Sequence, residues 1–169
     1  MRILLPLIFV LFCGIAHSHS LGLLSLTIEK NDSTWFLHVS MSTHGLENLI
    51  QKHKNDASWN MDYSEETNNE VAELVGKGIE LQMNKMQHAR LVLTQVSIND
   101  HASEFVYEIR DVTVRPEFWE WKFTDFFKTK SLSLFVRYTN DERNKEFLLQ
   151  SLSDCAFRMQ TSGIVNKIN

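Results

Sequence analysis

Cysteine is nearly missing from this chain of 169 residues: Cys13 and Cys155 are its two thiols. Cys13 lies in the N-terminal leader, behind the bulky Phe12, whereas a lipid-modified cysteine follows a small residue. Once the leader is cut away, Cys155 is alone, so no internal disulfide can form. In an oxidising compartment its thiol is expected to be shielded or paired between chains. Proline occurs twice and glycine six times, too few for a linker or a disordered stretch. Basic residues are outnumbered, 17 against 21 acidic, for a net charge of −4. Without a basic stripe, neither nucleic acid nor an anionic lipid surface is an expected partner. Long apolar runs are lacking too. The longest, Ile3 to Phe12, has ten residues, against roughly 20 for a helix that spans a bilayer. The chain is therefore not expected to span a membrane.

That short run has a different reading. Arg2 supplies a positive start, Ile3–Phe12 an apolar centre, and Gly14-Ile15-Ala16 a small-x-small cleavage signal. Together they predict a secretory signal peptide over residues 1–18. Cleavage after Ala16 releases a chain beginning at His17, and cleavage after Ser18 one beginning at His19. Alanine before the cut favours the first. The mature protein is then periplasmic or secreted. Loss of Arg2 leaves 16 basic against 21 acidic residues, a net charge of −5. Its length of about 150 residues suits one domain that buries about 70% of its unfolded surface without staples. The globular domain is expected over residues 19–153, followed by a weakly patterned tail, 154–169.

Hydrophobic periodicity sets the fold class. Leu24, Leu26 and Ile28 alternate with polar residues, as do Trp35, Leu37, Val39 and Met41. The cluster Lys30–Ser33 between them predicts a hairpin. Leu46, Leu49, Ile50 and His53 share one face of a short helix. Thr67 and Glu70 form a capping box before a second helix with Val71, Leu74 and Val75 on its apolar stripe; Gly76 or Gly78 ends it. The period then returns to two, through Ile79–Met83, Ala89–Val96, Phe105–Ile109, Trp119–Phe123, Leu132–Tyr138 and Phe147–Leu149. Hairpin-length connections make the sheet mostly antiparallel. The expected fold is α+β: a curved sheet or small sandwich of about seven to eight strands, with two helices between strands 2 and 3.

Several stretches resemble a family of exported bacterial proteins known only as a domain of unknown function. They are His19 after the leader, Ile28-Glu29-Lys30-Asn31 at the end of the first strand, and Leu46-Glu47-Asn48-Leu49 in the first helix. Trp121–Phe127, Leu132–Tyr138 and Lys145–Leu149 are also similar. Ser20 stands where that family often has proline. The resemblance spans roughly residues 19–150 and implies an exported domain without an assigned activity.

Seven histidines invite a search for metal ligands. His38, His44, His53, His88 and His101 are scattered, with no His-x-x-x-His on a helix and no cysteine pair. The sharper candidates are His17 and His19. In a mature chain starting His17-Ser18-His19, the free amine, two backbone amides and the His19 imidazole can wrap Cu(II) in a square plane. Alternatively, His17 chelates copper through its amine and its own ring, with a second histidine supplied by the fold. Acidic neighbours (Asp62 with Glu65 and Glu66, Glu117 with Glu120, Asp141 with Glu142) lie beside basic residues and read as solvated faces. The residues Trp119, Trp121 and Phe123 alternate with Glu120 and Lys122, so their rings are expected in the core. Were they exposed, they would form a sugar-stacking or docking surface. Asn31-Asp32-Ser33 is a glycosylation sequon that matters only in a eukaryotic secretory pathway.

These patterns predict an exported, non-catalytic binding or interaction domain for a protein or small-molecule partner. A copper-handling protein using His17 and His19 is the second expectation. An enzyme with a dispersed site is the third, since catalytic groups meet in space and need no sequence signature.

Overall fold

A computed structural model describes residues 22–84, 87–112, 116–127, 132–140, 143–149, 156–160 and 165–168. The elements in chain order are β1 (Gly22–Asn31), β2 (Thr34–Ser42), α1 (Thr43–Lys54), α2 (Glu65–Lys77), β3 (Ile79–Met83) and β4 (Gln87–Ile98). They are followed by β5 (Ala102–Arg110), β6 (Phe118–Phe123), β7 (Leu132–Asn140), β8 (Arg143–Leu149), β9 (Ala156–Gln160) and β10 (Val165–Ile168). The strands form one curled sheet in the order β10-β9-β6-β3-β4-β5-β2-β1-β7-β8. The class is α+β, with both helices between the second and third strands of the chain.

Alternation places one apolar layer on the inner face. Leu37 sits between Ile28 and Tyr107 in the ladders, and Trp121 sits between Leu81 and Phe157. Leu24, Leu26, Ile28, Leu37, Val39, Phe105, Trp119 and Trp121 are fully buried. The rings expected in the core are there, and the alternative of an exposed aromatic surface falls. Trp119 meets Trp35 edge-on at 5.4 Å, and Trp121 stacks on Phe157 at 5.6 Å.

The helices close the inner face. Ser42 caps α1 by accepting from the Gly45 N–H at 3.1 Å, and Asn55 ends it in the left-handed region at φ 53°. Thus α1 starts three residues before the Leu46 stripe. The second cap also differs from the sequence reading. Ser64, not Thr67, caps α2, and Thr67 is the donor, its N–H reaching Ser64 Oγ at 3.1 Å. Asp62 accepts from both the N–H and the hydroxyl of Ser64, which fixes the cap. That cap puts Glu65 and Glu66 in the first turn, where the helix dipole favours negative charge. Gly78 follows α2 at an ordinary right-handed φ of −71°. Its need for glycine is steric: a Cβ there would stand 2.6 Å from the Phe127 ring.

Three features correct the expected sheet. It is mixed, because β1 and β7 pair in parallel from Gly22↔Leu132 to Glu29↔Thr139. Among the described residues its strands join in one curled sheet, the curved-sheet alternative and not the sandwich. And the expected tail carries β9 and β10. Phe157 and Met159 are buried and alternate with half-buried Ala156, Arg158 and Gln160, and β9 pairs with β6. Five residues are too short a run to declare a strand alone; a partner more than thirty positions away makes it one.

Candidate functional site

The histidines do not converge. His38 lies in β2 on the outer face, with its Nε2 3.3 Å from Glu29. His44 is exposed in the first turn of α1, His53 lies near its end against Phe126, and His101 is exposed between β4 and β5. His88 contacts Gln82 across the β3–β4 ladder. Among the described residues no group of three or more His, Cys, Asp or Glu side chains is placed to hold a metal ion. His17, His19, Cys13, Cys155, Asp141 and Glu142 lie outside the described residues. The remaining acidic neighbours face solvent or are bonded. Asp62 is held below the ordinary carboxylate range, chiefly by the Ser64 backbone N–H, and Glu120 accepts from Arg158 at 2.6 Å.

Among the described residues a candidate site forms at a break in the sheet. The β3–β4 ladder runs Met83↔Gln87, Gln82↔His88, Leu81↔Ala89 and stops there. Glu80 and Ile79 continue in β3 and keep their β6 partners Lys122 and Phe123 on its other edge, but they have no ladder partner in β4. From Arg90 onward β4 pairs with β5, up to Ile98↔Ser103, with a bulge between Leu93 and Gln95. So β3 and β4 splay apart at Ala89, and a cleft of about 350 Å³ opens between them. Ile79 and Leu81 form one wall, Ala89, Leu91 and Leu93 the other. Tyr107 lies at the base, and Glu73, Gly76 and Lys77 of α2 overhang it.

Two close approaches hold α2 over this opening. The buried hydroxyl of Tyr107 donates to the Ala72 carbonyl at 2.6 Å, and burial pushes its phenol well above the ordinary range. Gly76 lies so near the same ring that a Cβ would meet it at 3.0 Å. The rim is polar. Lys77 pairs with Glu73 at 3.1 Å, Glu80 stands exposed, and His88 is tied to Gln82. The lining is thus apolar inside and acidic at its mouth. Its volume lies at the lower end of small-ligand clefts, about 300–1,000 Å³.

The sequence singled out His88 for its side-chain type and Leu81, Leu91 and Tyr107 for their alternation. It missed the cleft, which depends on where a ladder ends. One signal was available: the alternation from Ala89 to Val96 is longer than that of Ile79–Met83, so the second strand must outrun the first.

No described helix is long and apolar enough to cross a membrane. Neither a family model nor a curated protein matches this sequence, so the geometry of the cleft stands by itself.

Proposed function

We propose that this chain is an exported binding domain that captures a partner in the cleft between α2, β3 and β4. The observation that carries the reading is the splay at Ala89. It leaves an apolar hollow open to solvent between two neighbouring strands within the sheet. Binding is favoured over catalysis by the state of the polar groups there. Tyr107, Lys77 and His88 are each engaged with a neighbour, and the interior is hydrocarbon. Export rests on the Arg2 and Ile3–Phe12 pattern; the released form is expected to begin at His17 or His19 by mass spectrometry.

Methyl-resolved NMR tests the site. Small apolar probes such as 4-phenylbutanol are expected to shift the Ala89, Leu91, Leu93 and Ile79 methyl resonances saturably. Shifts confined to another region, or none at any concentration, would remove the cleft as the binding site.

A second reading, copper binding by the mature N-terminus, is favoured by one placement. Strand β1 begins at Gly22, at the end of the sheet where α1 starts and β4 turns into β5. His44 and His101 are exposed at that end, so the fold offers histidines at the end of the sheet where β1 begins. Copper titration of the mature chain tests it.

A further inference from the structure

The wall of the cleft continues as an edge. Beyond Ala89, no described strand pairs with β4 on the side that β3 has left. The burial of its side chains reports the same thing. Facing inward, Leu91, Leu93, Val96 and Ile98 are only half-buried, whereas their ladder neighbours Ile109, Tyr107, Phe105 and Ser103 on β5 are buried.

The composition of that edge is the second observation. Leu91-Val92-Leu93-Thr94-Gln95-Val96-Ser97-Ile98 holds neither a charge nor a proline. Open edges ordinarily carry lysine, proline or an inward charge, because an uncharged strand rich in Val, Ile and Leu is a template for pairing. This edge has a bulge as its one such device. Backbone donors and acceptors with no ladder partner among the described residues, beside an apolar hollow, are the two halves of strand addition. The ladder supplies affinity and the hollow selects an alternate side chain.

Charge decides the occupant. Exposed Glu80 stands at the mouth, and Glu66, Glu70 and Glu73 follow one another along an exposed face of α2. Lys77 pairs with Glu73 and Lys54 with Glu70, which leaves Glu66 and Glu80 to carry the excess negative charge among these groups. A second copy of this chain laid along β4 would bring an equal acidic rim against the first. A basic segment would be attracted instead.

We propose that the β4 edge from Leu91 to Ile98 receives an extended basic peptide segment of a partner protein as an added strand, with one apolar side chain seated in the cleft. The inference rests on the cleft being the binding site and adds the class of ligand and the mode of capture.

The probe is acetyl-Lys-Val-Leu-Val-Lys-amide, titrated into the mature chain with backbone and methyl resonances followed together. Saturable shifts along Leu91–Ile98 and at the Ala89 and Leu91 methyls are expected. Methylating two backbone nitrogens on the pairing edge should weaken binding at least about tenfold, because each removes a ladder hydrogen bond. Replacing both lysines by glutamate, or changing Glu80→Lys on the exposed rim, should weaken it about three- to tenfold, an effect that shrinks in 1 M salt. Equal binding of the methylated peptide overturns strand addition, and equal binding of the acidic peptide overturns the charge selection. In both cases the cleft is left standing if 4-phenylbutanol binds there. An edge already closed would show Leu91–Ile98 amides protected from exchange in the free protein and no peptide binding. Sedimentation would then assign the closure to a second copy or to the chain itself, and either result overturns the proposal. If neither peptide nor 4-phenylbutanol shifts the Ala89 and Leu91 methyls, the binding site itself falls.

Discussion

Replacing Trp121 tests the packing that holds the β3–β6–β9 half of the sheet together. Its side chain is fully buried, stacked on Phe157 at 5.6 Å and 11°, and flanked by Leu81 in the ladder. Burying an indole removes about 200 Å² from water, worth about 5 kcal/mol at 25 cal/mol per Å². Measured truncations of such rings cost about 3–5 kcal/mol. One feature opposes that loss: Trp121 Nε1 is buried without a hydrogen-bond partner among the described residues, an orphaned donor that costs about 1–3 kcal/mol while it stays. Trp121→Ala removes both, so its net cost should fall near the lower figure, about 3 kcal/mol. Trp121→Phe keeps a ring against Phe157 and deletes the N–H, so it should cost less than about 1 kcal/mol. Urea unfolding followed by far-UV circular dichroism reads both, with an unchanged slope. The thermal midpoint of the alanine variant should drop by about 6–12 °C for a domain of this size. An alanine cost below about 1 kcal/mol would mean that the ring faces solvent. A phenylalanine cost well above about 1 kcal/mol would mean that the N–H is satisfied, and would refute the accounting.

Three further outcomes follow from other contacts. Gly78→Ala should destabilise by about 1–3 kcal/mol by overpacking, because its Cβ would stand 2.6 Å from the buried Phe127 ring; calorimetry showing a stabilised variant would contradict that approach. Burial raises the Tyr107 phenol pKa in the folded chain above its unfolded value. Its contribution is therefore complete below about pH 10 and is lost as pH climbs above that, when only the unfolded chain ionises. Tyr107→Phe should flatten that alkaline limb in a pH series of urea midpoints, and an unchanged limb would assign it to other groups. If the mature chain starts at His17, one equivalent of Cu(II) should bind with a four-nitrogen visible band that fades as pH falls. His19→Ala should abolish it. Survival of the band in His17→Ala supports the square-planar wrap; its loss supports the chelate through the His17 ring.

Periodicity carried the local structure. The alternations in β1, β2, β5 and β6 and the stripes of both helices are written in adjacent residues, and these elements lie where the pattern puts them. Caps were harder, because Ser64 and Thr67 both precede an acidic residue by two or three positions and only tertiary contacts choose between them. Pairing across long separations was not legible. Nothing between residues 31 and 132 marks β7 as the parallel neighbour of β1, and β9 becomes a strand through its ladder to β6. The cleft belongs to this second class. Ile79, Leu91 and Tyr107 each read as core positions, and indeed Ile79 and Tyr107 are buried. The hollow among them arises because the β3–β4 ladder ends at Leu81↔Ala89 while β4 continues along β5.

The most direct test of the binding site fills it. Ala89 lines the cleft where the ladder opens, and about 350 Å³ of space lies in front of it. Ala89→Trp should therefore fold with an unchanged urea midpoint while its indole occupies the hollow. In an NMR titration with 4-phenylbutanol, saturable Leu91 and Leu93 methyl shifts are expected in the unaltered chain and none in the Ala89→Trp variant. Equal binding to both proteins would place the site elsewhere and contradict the account.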